Sequence, residues 1–369
     1  MHLSFFDIVF FSAIAVQLIY ITLFLIAFLK KVVLFPVAPR PISIIICAHD
    51  EEQNLRELIP ILLQQDYSEF EIIIIEDRCN DGTYDYLLQA TKEYNRLKMV
   101  RVVNKPEHVS GKKFGLTLGI RAAKYDWLLL TDADCRPASS QWIKAMSANQ
   151  KPDTKMVLGF SPYEKAPGLL NAFIQFESLL TAIQFVGLAL LGKPYMGVGR
   201  NLLYHKSLFL ENKGFNNYLG ITGGDDDLFV NQHATKNNTL VSMGKETLTF
   251  SKPKTTWREY YHQKLRHLSV GKHYKFSDKF ILGLFAGSWL ISCLLVIPLA
   301  VASSLFPWVL GAFLLRTALL IILFYHASKR LGEPFTIWMM PFLDFIFAFY
   351  YLVAGVAATT AKRIAWKRN

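Results

Sequence analysis

Four groups of acidic residues have the types and spacing to hold a divalent cation or to move a proton. Asp50, Glu51 and Glu52 follow Ala48 and His49 at the end of an isoleucine-rich run; Glu76, Asp77 and Arg78 follow a second run; Asp132, Ala133 and Asp134 follow a third. The fourth group is Asp225, Asp226 and Asp227, between Gly224 and Leu228. Any one group alone reads as solvated loop carboxylates. Three at the ends of apolar runs repel one another unless something positive sits among them, and oxygen donors of this hardness suit magnesium or manganese. A divalent metal bound to a diphosphate is the economical source of that charge. The fourth group suits a different task, because an attacking hydroxyl must lose its proton and a positioned carboxylate takes it.

The elements that must position these groups are visible in the hydrophobic pattern. Ile42 to Cys47 and Glu71 to Ile75 are short continuous apolar runs, as expected of strands buried on both faces of a parallel sheet; Lys98 to Val103 and Trp127 to Thr131 repeat the signal. Helical stretches at Asn54 to Gln64, Tyr84 to Tyr94 and Lys112 to Lys124 separate them. The alternation predicts an open α/β sheet of the nucleotide-binding kind. Ligands in such sheets bind beyond the carboxyl ends of the strands, where the acidic groups fall. Gly197-Val-Gly-Arg-Asn begins like a dinucleotide fingerprint, but Leu202 replaces the third glycine. A nucleotidyltransferase would need a glycine-rich loop after the first strand, and Ala48 to Glu52 contains no glycine.

Of 369 residues, 52% are hydrophobic and 19% charged, with 40 Lys and Arg against 29 Asp and Glu and a net charge of +11. This excludes a disordered or fibrous chain and is heavy for one facing only water. The apolar excess sits at the ends. Ile8 to Leu29 has no charged residue and is long enough to span a bilayer, and Lys30 and Lys31 follow at once. Without a basic start or a small-residue cleavage site, the segment reads as an uncleaved anchor. Lys30, Lys31 and Arg40 then place the polar middle in the cytoplasm. Cys47, Cys79, Cys135 and Cys293 lack metal-ligand spacing and would be reduced there, so neither disulfides nor structural zinc is expected.

Three further apolar stretches, Phe280 to Ala302, Leu305 to Tyr325 and Phe335 to Ala357, close the chain. Three full crossings would put Lys362, Arg363, Lys367 and Arg368 outside, against the charge rule, whereas Lys329 and Arg330 fit the cytoplasmic side. Arg316 and Asp344 fall at the same depth on the last two stretches, which predicts one buried pair between antiparallel helices. Leu169 to Leu191 is also apolar, but Asn171, Gln175, Glu177 and Gln184 make it a core or interface helix. From Thr255 to Gly271, Trp257, Tyr261, Leu265 and Leu268 share one helical face suited to the membrane interface. The organisation read from these features is an anchor at 1–31, a cytoplasmic domain at 32–254, an amphipathic region at 255–279 and a transmembrane region at 280–369.

Taken in order, Pro41-Ile-Ser-Ile-Ile-Ile-Cys-Ala-His-Asp-Glu-Glu, Ile75-Glu-Asp-Arg-Cys-Asn-Asp-Gly-Thr, Gly111-Lys112, Thr131-Asp-Ala-Asp and Gly224-Asp-Asp-Asp-Leu resemble family 2 glycosyltransferases of the GT-A fold. The resemblance runs from about Pro41 to Lys279 and points to the group that includes cellulose, hyaluronan and ceramide glucosyl synthases. It implies that Ala48 and His49, with Glu52 nearby, line the donor nucleotide, and that Glu76 and Asp77 grip its base and ribose. Lys112 matches a donor-site lysine, though a solvated lysine at a helix start is an equal reading. Asp132 and Asp134 match the DxD motif that holds the donor ribose and a metal on the diphosphate. Gly197, Gly199 and Asn201 match a Gly-x-Gly-x-Asn stretch beside the sugar. The base is Asp226 in one alignment and Asp225 in the other, and Asp226 is favoured. Gln263 and Arg266 resemble the Gln-x-x-Arg-Trp motif, in which the arginine contacts diphosphate. His267 replaces the tryptophan that supports the acceptor sugar.

The expected fold is therefore an α/β GT-A domain, Rossmann-like, with transmembrane helices at both ends. The expected function is an inverting, membrane-integral glycosyltransferase of the hexosyltransferase type. It would take a nucleoside diphosphate sugar, use magnesium or manganese, and deliver the sugar to a lipid or lipid-linked acceptor at the cytoplasmic membrane face, with no nucleic-acid partner. A processive polysaccharide synthase of the same fold is the enzymatic rival, and His267 argues against it. A non-catalytic nucleotide-sugar binder is the other, but it would have no need of Asp226 beside an intact Asp132 and Asp134.

Overall fold

An apolar helix, α1 (Phe5–Leu29), precedes the sheet, and its start is fixed by a reciprocal cap. Asp7 N donates to Ser4 Oγ at 3.1 Å, and Ser4 N donates to the Asp7 carboxylate at 2.9 Å. The chain then alternates through β1 (Ile42–Ala48), α2 (Glu52–Leu63), β2 (Phe70–Asp77), α3 (Thr83–Glu93), β3 (Leu97–Val102), α4 (Gly111–Ala122) and β4 (Trp127–Leu130). Each lies within two residues of the range read from the hydrophobic pattern. Every residue of β1 and β2 is buried, which is why these runs carry no polar alternation. The computed structural model describes residues 3–31 and 38–360, so the basic tail at Lys362, Arg363, Lys367 and Arg368 lies outside the described residues.

Beyond β4 come β5 (Cys135–Pro137), α5 (Trp142–Ser147), β6 (Met156–Leu158), α6 (Leu169–Leu190), β7 (Leu202–His205), α7 (Lys206–Glu211), α8 (Asp227–His233), β8 (Thr239–Val241) and β9 (Thr249–Ser251). The main sheet has the order β3-β2-β1-β4-β7-β6-β8, and β5 pairs with β9 in a small second sheet. Strands β1 to β4 are mutually parallel; β7 runs antiparallel to β4 and β6. Strand order reverses between β1 and β4, opening a crevice at their carboxyl ends. The core beneath it is built from Ile44, Ile46, Ile72, Ile74, Leu129, Trp142 and their neighbours.

The contacts divide the chain into two units, with the sheet in one, and α1, most of α6 and everything from Lys254 to the end of the described residues in the other. The helical unit adds α9 (Trp257–Gly271), α10 (Phe276–Ala302), α11 (Phe306–Leu331) and α12 (Met340–Thr360). Among the described residues, five helical segments are long and apolar enough to cross a membrane: α1, α6, α10, α11 and Ile337–Ala357. The most apolar stretch of α6 is 67% buried, against about a third or less in the other four, so α6 is an interior helix of this unit, in keeping with its polar residues. Its Glu177 accepts a hydrogen bond from Tyr260 Oη at 2.8 Å and pairs with Lys264, and its Phe176 ring stacks on Phe324 at 5.2 Å.

That pairing fixes which face of α9 is buried. Tyr260, Lys264 and Val270 are its buried residues, whereas Trp257, on the apolar face read from the sequence, is 46% exposed. Periodicity registers the apolar stripe but not a carboxylate on another helix that draws Tyr260 and Lys264 inward. The Arg316–Asp344 pair is present as expected. Nη1 bonds one Asp344 oxygen, Nη2 reaches the other at 3.2 Å, and both side chains are almost fully buried. Gln17 of α1 accepts from the same guanidinium at 3.4 Å and donates to Phe285 O and Ser288 Oγ, each at 2.8 Å.

Candidate functional site

The loops at the carboxyl ends of β1, β2 and β4 carry the acidic groups. On β2, Glu76 and Asp77 are 2% and 1% exposed. Glu76 accepts from Cys79 N at 2.7 Å and from Arg101 Nε at 3.2 Å; Asp77 accepts from Arg78 Nε at 2.7 Å. His49 follows β1, with its Nδ1 placed 2.6 Å from Asp77 O, so the two strand ends are laced together. Glu52, in the first turn of α2, is held by Arg56 at 2.8 Å. Ala48 is the last residue of β1 and is fully buried.

Lys112 joins the two halves of the site. From the first turn of α4, its Nζ reaches Asp132 Oδ1 at 3.0 Å, after β4, and Asp225 Oδ2 at 3.1 Å. Burial alone would lower its pKa, but Asp132, Asp225 and Asp226 outweigh that and hold it well above the ordinary range. The solvated-lysine reading is thereby excluded: this ammonium is fixed and permanently charged. Asp226 caps α8 and is held by two backbone donors, Gly199 N at 2.6 Å and Asp227 N at 2.8 Å. Burial and the neighbouring Asp225 raise its pKa above the usual carboxylate value, against the pull of Lys112 and those two bonds. A half-buried carboxylate with raised basicity is what proton abstraction requires.

The Gly197-Val-Gly-Arg-Asn stretch packs against the core and against Asp226. A Cβ on Gly197 would meet Leu158, Val230 and Leu202 at 3.0 to 3.4 Å, and one on Gly199 would meet the Asp226 side chain at 3.1 Å. The first glycine thus serves core packing and the second gives Asp226 its seat. Asn201 is fully buried; its amide donates to Phe160 O and Thr247 O, each at 2.7 Å, and accepts from Trp142 Nε1 at 3.0 Å. The Asn201 side chain thus ties three loops together from inside. Gln263, Arg266 and His267 lie on α9 in the helical unit.

The carboxylates fit a hard divalent cation. Asp134 is half-buried and touches only Ser251 Oγ at 3.5 Å and Cys135 Sγ at 3.7 Å among its printed neighbours, both long, so its oxygens remain open to a ligand. Asp132 lies two residues away, and the donor set is all oxygen. Asp50, Cys79 and Asp81 also converge closely enough to hold a metal, but burial pushes the Cys79 thiol up to about 12, leaving it protonated at neutral pH.

Three cationic residues at the site escape the motif reading. Arg78 sits on the crevice side of β2 with a left-handed backbone, φ 53°. Lys113, fully buried, donates to Tyr218 O and Ile221 O, each at 2.7 Å, on the loop that leads into Asp225. Arg200 lies 4.5 Å over the Tyr163 ring; burial opposes its charge, but Tyr163, Cys135, Asp134 and Asp132 raise its pKa. Arg200 lies inside the Gly197-Val-Gly-Arg-Asn stretch, whose Gly-x-Gly-x-Asn pattern carries no signal at that position.

The family model for glycosyl transferase family 2 matches residues 43–210. The chain is 22% identical over 237 residues to a probable glycosyltransferase, YdaM, of Bacillus subtilis, covering 61% of this chain and 54% of that one. It is 27% identical over 112 residues to a β-monoglucosyldiacylglycerol synthase of Trichormus variabilis, covering 30% and 24%. The match thus spans about half of one relative and a quarter of the other. Among solved structures, a mannosyltransferase from Pyrobaculum calidifontis in complex with GDP-mannose and Mn2+ is similar with a TM-score of 0.63 at 16% identity, covering 97% of this chain and all of that one. That likeness spans the sheet and the helices at both ends, and the matched sequence model covers the strands that form the crevice. Residues 43–210 are a family 2 glycosyltransferase domain, and the fold around them is GT-A with apolar helices at both ends of the chain.

Proposed function

We propose that the chain is an inverting glycosyltransferase that moves a sugar, of the hexose type, from a nucleoside diphosphate donor to a lipid or lipid-linked acceptor at the cytoplasmic face of a membrane. The observation that carries this reading is Lys112, which ties the DxD carboxylate Asp132 to Asp225, beside an Asp226 of raised pKa. Donor and acceptor chemistry then meet at one cation.

His49, Glu76, Asp77 and Lys112 hold the nucleotide and its diphosphate, with Asp132 toward the ribose. Asp134 and Asp132 hold the divalent ion, which when bound stabilises the charge growing on the departing nucleoside diphosphate. Lys112 adds a fixed positive charge on the same side. Asp226 accepts the proton of the acceptor hydroxyl as that oxygen attacks the sugar carbon, and a single direct displacement inverts the configuration. Gln263 and Arg266 on α9 are assigned to the donor and His267 to the acceptor pocket. Five apolar helices and the relative named for a glucosyldiacylglycerol product support a lipid acceptor. Lys30, Lys31, Lys329 and Arg330 support a cytoplasmic catalytic domain.

Titration of the purified protein with nucleoside diphosphates, with and without manganese, tests the donor and metal assignments. The wild type should bind more tightly with manganese, and Asp134→Ala should lose that increment. Equal affinity under both conditions would remove the metal from the account.

A further inference from the structure

Arg78 holds a conformation that side chains avoid. Its φ of 53° is left-handed, where only glycine is free of steric cost. The other described non-glycine residues with positive φ are easier to explain: Asp50 has a short polar side chain suited to that region, and Lys213 ends a helix turn beside Gly214. Arg78 has neither excuse. It stands directly after Asp77 at the mouth of the crevice, and strain kept at such a place is a reason to look for function.

Its side chain is fixed from two directions. Nε donates to Asp77 Oδ1 at 2.7 Å, and that carboxylate is itself buried. A Cβ on Gly111, at the start of α4, would lie 2.6 Å from Arg78 Nη2 and 2.8 Å from Asp77 Oδ2, so only glycine lets α4 come up beneath the fork. The Asp77 bond uses Nε alone; the Arg78 side chain is one-third exposed, and its Nη groups make no hydrogen bond to a described residue. A planar donor fork is thus held by Asp77 and against the start of α4, with its Nη donors unspent.

Its place along the sheet says which part of the donor it meets. Asp132 and Asp134, which would hold the diphosphate metal, follow β4; Arg78 follows β2, with β1 between them. Two strand spacings amount to roughly 10 Å, about the distance from a diphosphate to the base of an extended nucleotide. Resting on the donor reading above, we infer that Arg78 is a specificity-determining residue that hydrogen-bonds a carbonyl oxygen on the donor nucleobase, and that the base is therefore uracil or guanine. An arginine offers donors only, so it matches a carbonyl edge and meets the exocyclic amino group of cytosine or adenine donor to donor.

The test is calorimetric titration of the full-length protein in detergent, in the presence of manganese, with UDP, GDP, CDP, ADP and inorganic pyrophosphate. Wild type, Arg78→Gly and Arg78→Lys are compared, with thermal unfolding of each. The wild type should favour UDP or GDP over CDP and ADP. Arg78→Gly should bind the favoured nucleotide at least tenfold more weakly and lose the discrimination, with pyrophosphate affinity unchanged and cooperative unfolding retained, at a melting temperature lowered by the loss of the Asp77 bond. Arg78→Lys, which keeps the charge without the fork, should fall between the two. Unchanged nucleotide affinity in Arg78→Gly overturns the inference, as does an equal loss for pyrophosphate, which would move Arg78 to the diphosphate. Discrimination equal to wild type in Arg78→Lys would show that the fork is not needed and overturn the inference too. If the wild type binds none of the four nucleotides, the donor reading itself fails, and this inference with it.

Discussion

Asp225 and Asp226 are adjacent in sequence but differ in their electrostatic surroundings. Lys112 neutralises Asp225, whereas Asp226 is pushed toward its protonated form by burial and by Asp225. The base should therefore be Asp226. Asp226→Asn is expected to keep donor affinity and lose turnover by a factor on the order of 10² or more, because a base acts in the transition state. If Asp225→Asn shows that pattern and Asp226→Asn does not, the assignment moves by one residue. The raised pKa also has a sign in stability. Asp226 holds its proton more tightly folded than unfolded, so its contribution favours folding at low pH and is lost as pH rises through the folded pKa. At neutral pH, Asp226→Asn should thus melt no lower than wild type, and the wild-type pH–rate profile should fall on the acid side above the ordinary aspartate value of about 3.9. Residue types were legible here because carboxylates at strand ends have few other uses. Side-chain direction was not: Ala48 and Asn201 occupy motif positions yet face the core, a fact set by contacts from loops far away in sequence.

At the scale of elements, α4 couples the two functional loops. Lys112 reaches the carboxylates, and the next residue, Lys113, pins the loop before Asp225 by its carbonyls. Burial brings the Lys113 pKa down to about 8, opposed by Asp225, Asp227 and Asp226. Lys113→Met would leave two carbonyls without their donor, at a cost on the order of 1–3 kcal/mol. We expect a lower melting temperature together with a fall in kcat larger than any change in donor affinity. An unchanged kcat would mean that the loop holds its shape without the lysine. In the helical unit, reversing Arg316 or Asp344 alone leaves a buried charge without its partner, which costs about 3–5 kcal/mol. Arg316→Asp or Asp344→Arg should lower the yield of folded protein in detergent, and the double swap should recover much of it. Equal yields for all three variants would mean that the pair does not hold α11 and α12 together. The strands, the helices between them and this pair were legible because each follows from local periodicity or from depth along a helix. The buried face of α9 was not, because Glu177 of α6, which sets it, is remote in sequence.

For the whole molecule, composition separated apolar ends from a charged middle, and the fold keeps that division, with one qualification. Helix α6 lies within the stretch of sequence that forms the sheet domain, yet it packs with the terminal helices, and no boundary drawn along a linear sequence assigns it there. Sugar transfer from a nucleoside diphosphate to a lipid has a direct readout. Membranes containing the wild-type protein or Asp226→Asn are incubated with manganese and a panel of radiolabelled nucleotide sugars, and the products are divided into lipid extract, insoluble polymer and water-soluble fraction. At least one donor should label the lipid extract in the wild type, with the signal falling on the order of 100-fold in Asp226→Asn. Label confined to insoluble polymer, or no donor giving lipid label above the Asp226→Asn level, would contradict it.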